Sequence, residues 1–150
     1  MLSHRDNYCL GFSALAAGTL GTYNTGAINY SRDARGFTKA ATTNASTFTT
    51  SGAGFVGNLG NNQQSVFFVC LNDAGTFSTI QSAIEIAPSG VGYVSKSVEW
   101  PNPADRAVVG AIHISCSGAQ TFTVGTTVPG TANTAVFYNV VGDYGKPIVI

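Results

Sequence analysis

Charge is the first thing this chain does without. Lys, Arg, Asp and Glu make up 9% of its 150 residues, against about 25% in an average soluble domain. Seven basic and seven acidic residues leave no formal net charge. That removes the basic footprint with which a protein grips nucleic acid or an anionic membrane, so neither partner is expected. A neutral surface repels itself little and responds little to salt, which suits a subunit packed densely beside other proteins. Long apolar runs are missing too: nothing approaches the ~18 residues of a membrane span. Cysteine is scarce and odd in number, at Cys9, Cys70 and Cys116. This is neither an even disulfide set nor a metal-ligand spacing. Cys70 lies inside VFFVC and Cys116 ends an apolar strand, so both read as small core hydrophobes. Reduced thiols favour assembly in a cytoplasm, and no metal or cofactor is expected.

Catalytic groupings are also lacking. The acids are Asp6, Asp33, Asp73, Glu85, Glu99, Asp105 and Asp143, and none pairs with another at a spacing that suggests acid–base work. Asp33 and Asp73 sit in turns, where a carboxylate caps backbone N–H groups. Of the two histidines, His4 is near the start and His113 lies on the less apolar side of a strand. No serine stands in a nucleophile-elbow motif, so His113 reads as a hydrogen-bonded structural residue. GAGFVGNLG, at residues 52–60, has the look of a phosphate loop but lacks the Lys-Ser/Thr that would hold a nucleotide. The expectation is a protein that is not an enzyme, with no catalytic residue to name.

What fills the space is Gly, Thr, Ser and Asn, which favour turns and strands. In RAVVGAIHISCSGAQTFTVGTT, counting by twos puts Val108, Ile112, Ile114 and Cys116 on one face and Val109, Ala111, His113 and Ser115 on the other. Ser117–Gln120 turns the chain and Thr121–Val124 returns, which predicts a hairpin with a four-residue loop. A second hairpin spans Ser65–Gln81: Val66–Leu71 is apolar on both faces, as a central strand is, and Asn72-Asp73-Ala74-Gly75 turns it, with Gly75 in the left-handed position. A third runs from Gly26–Tyr30 through a charged, solvated loop, Ser31–Gly36, to Phe37–Ala40. Thr42–Gln64 is low in complexity, with one strand near Ala45–Thr50. Ser82–Ala87 is strand or link, Val91–Ser95 a further strand, Trp100–Pro103 an extended break, and Ala135–Val141 a last strand apolar on both faces. At this length the chain can bury roughly 70% of its unfolded surface. The pattern predicts one all-β domain, a sandwich or barrel-like fold built from antiparallel hairpins, over residues 21–150 with an extended C-terminal tail.

Residues 1–20 read as an N-terminal arm. Tyr8–Ala17 has the outline of a poor signal peptide, but Asp6 and Asn7 interrupt its charged region, and Gly11 and Ser13 dilute its apolar run. The segment is therefore expected to stay on the chain. Leu10, Phe12 and Leu15 in the arm, and Ile148, Val149 and Ile150 in the tail, are apolar groups outside the clear strands and are the expected partner contacts. Trp100, between Glu99 and a Pro-Asn-Pro break, joins them as an interface anchor or a stacking platform for sugar, or else covers one end of the core.

Three stretches carry a family resemblance: AINYSRDARGFTKAATTNASTF, VFFVCLNDAGTFSTIQ and WPNPADRAVVGAIHISCSGAQTFTVGTT. In this order, over roughly residues 25 to 140, they resemble small virion structural proteins of tailed bacteriophages, above all head decoration (cement) proteins and related fibre proteins. The resemblance implies an all-β subunit that binds the outside of a capsid lattice and stabilises it. Its partner would be the major capsid protein, its state on the lattice a homo-oligomer (trimer or dimer), and its place the capsid surface of a virion assembled in a host cytoplasm. The shared segments are scaffold, so no binding residue is carried over. The competing expectation is a carbohydrate-binding or adhesin module of a phage tail fibre, using Trp100 and tyrosines for stacking and Asn and Asp for hydroxyl contacts.

Overall fold

The computed structural model describes residues 7–11, 13–86, 98–140 and 147–149, which form strands joined by turns and contain no helix. In chain order the strands are β1 (Tyr8–Cys9), β2 (Ala16–Ala17), β3 (Thr22–Thr25), β4 (Ile28–Arg32), β5 (Arg35–Lys39), β6 (Thr42–Thr47), β7 (Gln63–Leu71), β8 (Phe77–Gln81), β9 (Glu85–Ile86), β10 (Ala107–Ser115), β11 (Thr134–Val140) and β12 (Pro147–Val149). They make one large sheet in the order β12-β11-β10-β7-β8, with β9 also on β7, and two small sheets, β1-β4-β5 and β2-β3-β6. All pairing is antiparallel. None of the sheets closes on itself, so the fold is all-β and sandwich-like rather than a barrel. The expected strand Val91–Ser95 lies outside the described residues.

β7 is the spine. Its alternation sends Phe67, Val69 and Leu71 into the main core and Val66, Phe68 and Cys70 into a smaller cluster on the opposite face. Both faces of the strand are covered, as its unbroken apolar run requires. The main core is closed by residues of the small sheets, among them Cys9, Tyr23, Ile28 and Tyr30. Phe48, from the low-complexity stretch just after β6, is its aromatic hub. Its ring meets Tyr23 at 5.2 Å and Phe67 at 5.1 Å, both edge-to-face, a geometry the ring quadrupoles favour.

Two hairpins form where the turn residues place them. Asn72 Oδ1 accepts hydrogen bonds from the N–H groups of Ala74 (3.0 Å) and Thr76 (2.9 Å), and Gly75 takes φ +72°. The capping group is thus Asn72 rather than Asp73, whose carboxylate is held by two arginines (below). Between β4 and β5, Asp33 and Ala34 both adopt positive φ (48° and 61°), the twist a two-residue hairpin needs.

The hairpin expected over residues 108–124 does not form. Both edges of β10 are occupied, by β7 on one side and β11 on the other. The turn at Ser117–Gln120 is made (Gln120 N–H to Ser117 O, 3.1 Å), but Phe122 then pairs with Leu59 in a single two-bond bridge. The phase of β10 also differs from a strict two-residue alternation. A bulge between Val108 and Gly110 adds a residue on this strand, so Ala107 and Val109 share the main core with Ile112, Ile114 and Cys116, while Val108 turns to the other face with Ala111. Bulges reset the side-chain register in this way.

The described part of residues 1–20 is no detached arm. β1 pairs with β4 and β2 with β3, and Cys9, Ser13 and Leu15 are buried. The reason is Gly110: lacking a side chain, it leaves the space on β10 that Leu15 and Ser13 occupy, and a Cβ there would collide with both. The tail is likewise partly integral, since β12 extends the large sheet by pairing with Tyr138–Val140 of β11.

Candidate functional site

Buried polar contacts tie distant parts of the fold together. Arg32, expected in a solvated loop, is 6% exposed. Its Nε donates to Asp73 Oδ1 (2.9 Å) and its Nη1 to Asn7 Oδ1 and the Ala104 carbonyl (each 2.8 Å). Arg35 Nη2 donates to the other Asp73 oxygen at 3.0 Å. One guanidinium thereby ties β4, the β7–β8 turn, the segment before β10 and the start of β1, which is the use a planar fork of donors suits best. Its sequence signal was only alternating charge, which cannot tell a buried clamp from an exposed loop.

His113 is buried on β10 with Nε2 3.1 Å from Gln64 Oε1. Desolvation lowers its pKa to about 4, so the ring is neutral at physiological pH. Burial pushes the Cys70 thiol up to about 12 and raises those of Cys9 and Cys116. All three cysteines are free and buried, which makes them poor nucleophiles. The His113 ring carries a pH prediction. In the unfolded chain it titrates near 6.5; in the fold it stays neutral down to about pH 4. Between those values the unfolded state binds the extra proton, so stability is full above about pH 6.5 and falls as pH drops toward 4, by up to roughly 3 kcal/mol. Urea unfolding at pH 7, 6 and 5 checks this. His113→Gln should flatten the decline over that range; an unchanged slope in the variant would assign it to other groups.

Two openings are lined by described residues. The first is a groove of about 310 Å³ between β2 and β11, lined by Leu15, Ala16, Ala17, Ala135, Val136 and Phe137. Among the described residues, its walls carry no charged side chain. β12 covers Tyr138–Val140 of β11, and no described strand lies along the outer edge of Thr134–Val136. β2 is the terminal strand of its own sheet. The groove therefore runs along backbone edges with donors and acceptors to offer. The second opening, about 520 Å³, lies beside Trp100 and is lined also by Glu85, Glu99 and Asn102.

The expected partner contacts distribute unevenly over these features. Leu10 is 53% exposed, with its N–H on the Asn29 carbonyl at 2.8 Å. Leu15 is 4% exposed and belongs to the main core; as a free docking residue it is corrected, because Gly110 gives it a pocket in its own chain, although it still borders the groove. Ile148 and Val149 stand opposite Asn139 and Tyr138 in β12, next along β11 from the groove. Trp100 is half-buried and rests edge-to-face on Phe68 at 4.7 Å. It covers the smaller core cluster and also borders the second opening. Phe12 and Ile150 lie outside the described residues. Ala16, Ala17, Val136 and Phe137 carry no signal in the sequence, since two alanines and an apolar strand point to nothing until β2 is placed beside β11. No family model, curated protein or solved structure matches the chain.

Proposed function

We propose that this chain is a non-enzymatic virion structural protein that attaches to the outside of a phage capsid lattice and stabilises it, with the major capsid protein as partner and further copies of itself beside it. The observation that carries this reading is the groove along the β2 and β11 edges, whose described lining carries no charge. A neighbour binds such a groove by adding an extended segment: backbone hydrogen bonds supply affinity, and small pockets for alternate side chains supply selectivity. Ala16 and Ala17 are exposed and short, which lets another backbone approach. The scarcity of charge fits the same mode, since attachment then rests on buried apolar area and paired backbone rather than on steering. Weak contacts of this kind add up to durable attachment when repeated over a lattice. The sequence resemblance to decoration proteins points the same way.

The test places charge in the groove without touching the core. Ala16→Glu and Ala17→Glu substitute exposed positions and should leave the melting profile unchanged. Occupancy on particles lacking the protein should fall at least about tenfold, the cost of burying one unpaired charge against an apolar wall. Full occupancy by both variants would exclude this groove as the attachment surface. Failure of the wild-type chain to bind any capsid would exclude the attachment reading itself.

A further inference from the structure

The opening beside Trp100 shares no lining residue with the β2–β11 groove, and its chemistry is different. Trp100 is the only tryptophan in the chain. Its indole is fixed from below by Phe68, a residue 1% exposed in the centre of β7. The platform is thus anchored through the spine of the large sheet, and Trp100 lines the cleft. Around it stand exposed polar side chains: the Glu99 carboxylate and the Asn102 amide from the same extended segment, and the Glu85 carboxylate from β9. At about 520 Å³ the opening is of the size that accepts a small ligand.

We propose that this cleft binds a neutral hexose unit of a glycan. A pyranose ring has one face of C–H groups, which packs on an indole as an apolar surface packs on any aromatic. Its rim of hydroxyls then donates to carboxylate and amide oxygens, and hydrogen bonds to an ionised acceptor are the strong ones. Asn102 can both donate and accept, which discriminates the orientation of neighbouring hydroxyls. The alternatives fit less well. A purely apolar ligand would desolvate Glu99 and Asn102 without replacing their hydrogen bonds. A phosphate or an acidic sugar would face the Glu99 carboxylate, a charge of its own sign. Binding here is independent of attachment through the groove, and each holds or fails without the other.

Because the chain has one tryptophan and six tyrosines, fluorescence excited at the red edge, where tyrosine does not absorb, reports on Trp100. Full-length protein would be titrated with D-glucose, D-galactose, D-mannose and N-acetyl-D-glucosamine, and in parallel with choline and inorganic phosphate. The expected result is a saturable change with at least one neutral sugar, with a dissociation constant on the order of millimolar, as a single ring with few contacts allows. Glu99→Gln and Asn102→Ala alter exposed side chains, so they should leave the melting profile unchanged while weakening that sugar about tenfold. Trp100→Phe, followed by retention on the immobilised sugar, separates loss of stacking from loss of fold. No saturable response to any neutral sugar overturns the proposal. So does a response to choline or phosphate only, or sugar binding that survives both polar substitutions unchanged.

Discussion

Replacing Ile112 or Phe68 by aspartate is expected to leave no soluble folded protein. The two sites lie on opposite faces of the large sheet, Ile112 in the main core and Phe68 in the smaller cluster, at 0% and 1% exposure. Each substitution removes a large apolar side chain and puts in its place a carboxylate packed among apolar residues. Losing the buried apolar group alone costs about 3–4 kcal/mol, and an unpaired buried carboxylate adds several more even after it takes up a proton. Against a total stability of about 5–15 kcal/mol for a domain of this kind, either change is enough. The pair also tests the architecture. If only one face were a core, one of the two variants would express and melt normally. Soluble expression followed by thermal melting decides it, with Ile112→Val and Phe68→Leu as volume controls that should remain folded at a cost of about 1 kcal/mol each.

Those two positions are readable from the chain alone, and others are not, for physical reasons. Val66–Leu71 is apolar at every position, so whichever phase the strand takes, its residues are buried. The turn at Asn72–Gly75 is a local matter of one amide side chain and one left-handed glycine, and local chemistry is what sequence states most plainly. The β10 bulge is different. Val108, Val109 and Gly110 are all compatible with either face, and the extra residue is decided by how β7 and the Ser13–Leu15 segment pack on the strand. The return strand at Thr121–Val124 has the right alternation but no free partner, because β11 reaches β10 from ten residues further along. Arg32 lies in a run of mixed charge, and its burial depends on Asp73, Asn7 and Ala104 arriving from three distant parts of the chain. The candidate surfaces follow the same division. Trp100 is conspicuous as a single large aromatic beside two prolines, whereas the β2–β11 groove exists only as a juxtaposition of residues more than a hundred positions apart.

A glycine series is expected to separate two costs that are usually confounded. Gly21 precedes β3, is buried, and has φ +73°. A Cβ added there would overlap the carbonyl carbon of Gly125 and the backbone nitrogen of Thr126. Those are main-chain atoms, and they are held: the N–H groups of Thr126 and Thr127 both donate to the Thr123 carbonyl, at 3.1 and 2.9 Å, and the Thr123 N–H donates to Thr127 Oγ1 at 3.0 Å. The turn has no side chain to rotate out of the way, so the residue 21 loop and the 123–127 turn must separate, opening the main core next to Phe122 and Val124. Gly21→Ala should therefore cost about 1–2 kcal/mol for the left-handed backbone and several more for the displaced packing. Gly118 isolates the first part. Its φ is +57°, yet a Cβ there meets nothing within 4 Å, so Gly118→Ala should cost only the backbone share, about 1 kcal/mol. Gly36 in β5 carries neither burden: it has open space and no positive φ, and Gly36→Ala should be neutral or stabilise by up to about 1 kcal/mol through the unfolded chain. Urea unfolding of the three variants gives the order directly. Equal losses at Gly21 and Gly118 would mean that the approach of the two backbones contributes nothing, and that the loop before β3 can move away from the 123–127 turn without disturbing the core.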